Sequence, residues 1–175
     1  MTIVKDPLLT AARIIILAQM VVIGIAAVAL LIGAGYLAFD PSPLLAELAE
    51  EGVTSPSGGD VAAIIGIMVL ALVPIGLLMV FLRTLNLVID SVGAGDPFAP
   101  VNAERLARMG WLMIGVQVSA IPIGALSAWL GQRIDVGEIG FEVSGEGVVL
   151  ALVLFILARV FRHGAAMRDE LEGTV

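Results

Sequence analysis

The sequence predicts an all-α polytopic membrane protein, a four-helix bundle with both termini in the cytoplasm, and three observations predict it. Apolar residues make up 59% of the chain and its mean hydropathy is +1.07, well above the apolar content of soluble domains. Four apolar runs, about 14–39, 61–82, 109–130 and 146–164, approach or exceed the roughly 20 residues that cross a bilayer as helix. The basic residues are also one-sided. Of nine Lys and Arg, eight (Lys5, Arg13, Arg83, Arg105, Arg108, Arg159, Arg162 and Arg168) fall in the N-terminus, the middle connection 83–108 or the C-terminal end. Only Arg133 falls in the connections 40–60 and 131–147. Cytoplasmic segments retain Lys and Arg, so the connection 83–108 is inner and the other two are outer. A chain of 175 residues is then one four-span domain, 1–175, without a separate soluble catalytic domain.

The net charge of -7 follows this layout: nine of sixteen carboxylates lie in the two outer connections or at their edges. Acidic residues have little influence on orientation, so the division agrees with the topology without proving it. The absence of cysteine excludes disulfides, thiol catalysis and iron–sulfur ligation.

Pro7 to Arg13 predicts a short interfacial helix leading into the first span, Ile14 to Phe39. At about 26 residues this run is too long for the apolar part of a signal peptide. Gln19 is its strongly polar interior residue, Ala29 and Gly33 form a small-xxx-small pair, and Tyr36 belongs near the outer interface. In the first outer connection, Ser42 as N-cap and Pro43 as first helical residue start a short amphipathic helix on the outer leaflet, with Gly52 as its stop.

The second span, Val61 to Leu82, holds Pro74, and its pattern continues beyond the bilayer to Asp90. Gly93 and Gly95 permit unusual backbone angles in the inner loop, while Pro97 and Pro100 stiffen it around Phe98. Asn102 is the expected N-cap of the third helix, with Val101 packing on Leu106 as a staple. Arg105, Arg108 and Trp111 then lie at the headgroups. Pro122 interrupts the third span. The second outer connection alternates weakly through Ile134, Val136, Ile139, Phe141 and Val143, compatible with a small hairpin. The fourth run is uninterrupted only from Val148 to Ala158, about 16 Å of helix against a core near 30 Å. The helix must therefore continue past Arg159, and the cytoplasmic stretch Arg162 to Glu172 supports that.

The chain offers little chemistry for catalysis. His163 is the one histidine and adjoins Arg162, which disfavours a metal, and the outer carboxylates match no calcium loop. A serine nucleophile lacks a nearby base. The expectation is a non-enzymatic protein with no cofactor and no metal. Gln19 and Gln117 form a candidate intramembrane polar site, either as hydrogen-bonded glue between helices or, with Pro74 and Pro122, as the site of a small transporter or ligand-sensing bundle. Arg159 either snorkels to the boundary or anchors the inner loop through Asp90 or Asp96. The inner surface presents Asp96, Pro97, Phe98, Asn102 and Arg105 from the loop, with Arg159, Phe161 and Arg162 from the tail. These are the candidate partner-binding residues, with Phe98 and Phe161 as apolar anchors. The surface has no basic run, so direct nucleic-acid binding is not expected. Ala29/Gly33 and Ala120/Gly124 leave a homo-oligomer open.

Two stretches carry a resemblance. Gly95-Asp96-Pro97-Phe98 followed by Asn102, Arg105, Leu106 and Gly110-Trp111 is one. Ile156-Leu157-Ala158-Arg159-Val160-Phe161-Arg162-His163-Gly164 with Met167-Arg168-Asp169-Glu170-Leu171 and Thr174-Val175 is the other. Together they resemble the signatures of a bacterial membrane family catalogued as domain of unknown function 2975, with a departure at Gly173. The resemblance implies a multi-pass protein of the bacterial inner membrane. It further implies pairing with a cytoplasmic helix-turn-helix transcription regulator, as a regulatory or scaffolding partner.

Overall fold

The structure is a computed structural model that describes residues 7–50, 53, 55–134 and 143–172. It contains five helices: α1 (Pro7–Phe39), α2 (Ser42–Glu50), α3 (Gly58–Gly93), α4 (Pro100–Gly131) and α5 (Gly145–Glu172). No strand occurs among the described residues. All but α2 are long and apolar enough to cross a membrane, and the large apolar side chains that would face lipid are exposed along α1 and α5. The hairpin expected around Val136, Ile139 and Phe141 lies outside the described residues, as does Gly52.

α1 is one continuous helix rather than an interfacial piece followed by a span. Pro7 sits at its first position, where its missing N–H is no loss, and no proline interrupts it before Pro41. The cap of α2 differs from expectation. Asp40, two residues ahead of Ser42, accepts hydrogen bonds from the Ser42 amide (3.1 Å) and the Ser42 hydroxyl. Leu48 of α2 is buried against Ala63, Ile67, Ile123, Leu130 and Ile134, with Leu44 packed beside it. The apolar face of this short helix thus rests on protein.

Ser57 and Asp60 start α3 with the carboxylate half of a capping box, in which the third helical side chain reaches back to the cap amide. The Asp60 carboxylate accepts from the Ser57 amide at 2.9 Å and the Ser57 hydroxyl at 2.8 Å. Asp60 is fully buried, and its other oxygen lies 2.9 Å from Nε of the half-exposed Arg133. α5 begins with Ser144, whose hydroxyl oxygen accepts from the Gly147 amide at 3.1 Å.

The helices pack as two compact units. Among the described residues, one lies within 1–22, 77–115 and 144–175 and the other within 23–76 and 116–143. The core of the first joins Leu106, Met109 and Met113 of α4 to Ala151, Leu154 and Ala158 of α5, with Phe81, Leu85, Phe155 and Phe161 around them. Spacings of three and four residues make each set one helix face. Gly110 lets the Phe155 ring approach so closely that a β-carbon there would sit 2.8 Å from it. In the second unit Gly33 receives the Met68 methyl in the same way, and Ala120 is buried. Gly33 and Ala120 therefore serve contacts within the chain.

Candidate functional site

Of the eight Arg among the described residues, seven belong to the first unit, and the α3–α4 turn and the α5 tail come together there. The turn is built outward from Gly95. With φ at +86°, Gly95 occupies the left-handed region that closes a helix. Its amide donates to Val92 O at 3.0 Å and the Asp96 amide to Ser91 O at 3.1 Å, the paired bonds of a Schellman motif.

Asn102 then fixes the turn from the far side. It does not cap α4, which begins two residues earlier with Pro100 in the first position. Asn102 is wholly buried. Its amide nitrogen donates to Ser91 Oγ at 2.9 Å and to Pro97 O at 3.0 Å, while Ser91 Oγ donates to Asp96 O at 2.8 Å. Arg105 Nη1 donates to Asn102 Oδ1 at 2.9 Å and to Leu87 O at 3.0 Å. Because a guanidinium only donates, the chain of bonds has a single direction, from Arg105 through Asn102 and Ser91 to the turn. Arg105 is thus an internal strut rather than a headgroup contact, and Val101, with the cap elsewhere, is exposed instead of stapled.

The tail latches onto this turn at two points. Asp96 accepts from Arg168 Nη1 at 2.6 Å, across 72 residues of sequence. Phe98 lies across α5, its ring centroid 5.4 Å from that of Phe161. Gly164 makes this possible: a β-carbon there would be 2.8 Å from Phe98 Cδ1. A third link joins α1, where Arg13 pairs with Asp90 at 2.6 Å. The carboxylates considered for Arg159 are thereby taken by Arg168 and Arg13. Arg159 and Arg162 are exposed on α5 and have no ion pair among the described residues.

No protein-family model matches the chain, and neither a curated protein nor a solved structure is similar to it. The resemblance of the loop and tail to a known family rests on those motifs alone.

The structure brings Asp96, Pro97, Phe98, Asn102 and Arg105 into one network with Phe161. Two of them, Asn102 and Arg105, are spent inside it, and the two phenylalanine rings pack against each other at a tilt of 42°. Ser91, Gly164, Arg168 and the Arg13–Asp90 pair make contacts around this network that sequence reasoning did not assign. Only Gly164, a glycine inside an otherwise helix-favouring tail, carried a local signal. In the second unit Gln117 and Pro74 are buried and Pro122 is exposed. Gln19 is exposed on α1.

Among the described residues three grooves lie along the tail, the smallest, of about 330 Å³, being lined by Arg159, Arg162, His163 and Ala166 and sharing residues with the two larger ones. The largest, of about 650 Å³, is lined by Phe98, Arg159, Val160, His163, Gly164 and Met167. The third, of about 430 Å³, lies between the first turn of α4 (Pro100, Glu104) and Arg162, Ala165 and Ala166 of α5.

Proposed function

We propose that this chain is a non-enzymatic regulatory or scaffolding protein of the bacterial inner membrane that holds a cytoplasmic protein at the bilayer. Its turn and tail face the cytoplasm, as the distribution of Lys and Arg favours. The observation that carries the reading is the latch itself. Two segments distant in sequence are ordered into one surface by a directed hydrogen-bond chain, an ion pair and an aromatic contact. Such a preformed surface lowers the ordering cost of association. The partner docks in the groove between α4 and α5, where Glu104 and Arg162 supply opposite charges beside Pro100 and Ala166. The resemblance of the turn and tail motifs points to a helix-turn-helix transcription regulator as that partner.

The test is capture of the full-length tagged protein after brief in-cell crosslinking, followed by mass spectrometry. The expected companion is a DNA-binding regulator that is lost when Glu104→Arg and Arg162→Glu are combined. Neither side chain belongs to the latch, so membrane insertion and thermal unfolding should be unchanged. Undiminished capture by the double variant, or capture of nothing but the protein itself, would overturn the proposal.

A further inference from the structure

We infer that the groove formed by Phe98 and α5 is a binding site for one anionic phospholipid, with its phosphate at Arg159 and His163 and an acyl chain along the exposed face of α5. The inference concerns a different groove of the tail from the partner groove and does not depend on the regulatory reading.

Three observations converge on it. The first is depth. α5 starts at Gly145, so Arg159 lies roughly 21 Å along the helix and the far edge of a 30 Å core falls near residue 165. His163 is therefore about 3 Å from that edge and Arg159, one turn earlier, about 9 Å inside it, from where its long side chain reaches the headgroups by snorkelling. The second is continuity. Val149, Val153, Ile156 and Val160 are each exposed at three- and four-residue spacing, and Met167 carries the same apolar face onward past Gly164. Phe98 walls this track on the side of the turn and is itself 43% exposed. An acyl chain lying on the track enters the groove without crossing any polar surface.

The third observation is uncompensated charge. Among the described residues neither Arg159 nor His163 has an ion-pair or hydrogen-bond partner. The nearby carboxylates Asp90 and Asp96 are engaged by Arg13 and Arg168. A guanidinium at this depth prefers a phosphate to an empty position, because a cation part-way into lipid is costly unless it is met by an opposite charge or reaches water. Its planar fork suits two phosphate oxygens at once. The imidazole of His163, one turn further along, adds an N–H donor on the headgroup side of Arg159. An anionic lipid is favoured over a zwitterionic one because, among the described residues, no carboxylate lines the groove to receive a choline or ammonium headgroup.

The full chain is reconstituted in vesicles of equal phosphatidylcholine and phosphatidylglycerol, extracted in mild detergent, and lipid adducts are read by native mass spectrometry. The expected result is one retained phosphatidylglycerol per chain. Arg159→Gln with His163→Gln should lower its retention at least roughly fivefold, the factor corresponding to about 1 kcal/mol for one cation at an anionic surface. Arg83→Gln with Arg108→Gln removes two exposed cations elsewhere in the same unit and should leave retention within about twofold. A photo-crosslinking amino acid at Val160 supplies the second readout and should label lipid. Equal retention of both phospholipids, an equal loss in both double variants, or labelling of a polypeptide at Val160 would each overturn the inference.

Discussion

Asn102→Ala is the most informative perturbation, because one buried amide holds the turn to both helices that flank it. The substitution deletes the donors to Ser91 Oγ and Pro97 O and the acceptor for Arg105. Two neutral hydrogen bonds contribute about 1 kcal/mol each, and the one to the guanidinium somewhat more. Compensation reduces the sum. Ser91 keeps its bond to Asp96 O and Arg105 keeps its bond to Leu87 O, and Pro97 is only partly buried, so water can reach its carbonyl. A loss of about 2–3 kcal/mol in the local stability of the turn is expected. At about 1.4 kcal/mol per factor of ten, the open turn becomes roughly 30- to 140-fold more populated. Hydrogen–deuterium exchange of a peptide covering residues 91–100 reads this directly through the Gly95 and Asp96 amides, which are protected by Val92 O and Ser91 O. A peptide covering residues 57–70, in the other unit, serves as the reference. Asn102→Asp retains an acceptor for Arg105 but has no donor for Pro97 O, so its rate should fall between the two. Exchange of the 91–100 peptide within about threefold of the wild type would refute the reasoning. So would equal acceleration of the reference peptide.

Three further outcomes are expected. Gly164→Ala places a β-carbon against the Phe98 ring and should destabilise the chain by about 1–3 kcal/mol in thermal or denaturant unfolding, as overpacking does; combined with Phe98→Leu it should cost less than the sum of the two singles. Arg133→Gln should lower the melting temperature more than the combination with Asp60→Asn, since the single change strands a fully buried carboxylate beside Ser57 whereas the pair removes the charge as well. The Ser42 hydroxyl, and after it the Ser42 amide, hold the Asp40 carboxyl below its usual range. A carboxyl acidified by folding stabilises the folded form above its unfolded pKa, and that contribution is lost as pH falls through the lowered folded value. Protection of the Ser42 amide should therefore persist at neutral pH and disappear in acid, and Asp40→Asn should abolish this dependence.

The membrane character and the four long apolar helices were legible in the sequence because transfer into lipid sums over residues regardless of what packs where. The same local logic gave the extension of α3 beyond its apolar core and the continuation of α5 past Arg159. Local rules misplaced two helix starts. Ser42 and Asn102 are both residue types that favour caps, but a proline follows Asp40 and another occupies position 100. Those prolines set where the helices begin, leaving Asp40 to cap α2 and Asn102 free to face α3 and the turn.

The candidate site was legible as a set of residues and not as a set of roles. Asp96, Phe98, Asn102, Arg105 and Phe161 were marked by composition in a short stiff loop and by the apolar residues of the tail. Which cation meets Asp96 depends on how α5 lies against the turn, and only packing of Ala151, Leu154 and Ala158 against α4 decides that. It brings Arg168, rather than Arg159, to Asp96, and leaves Arg159 beside an apolar groove. Hydropathy and charge order are one-dimensional properties, determined by the chain alone. Partner choice between residues far apart in sequence follows from the close approach that Gly110 and Gly164 permit, and this exists only once the helices are packed.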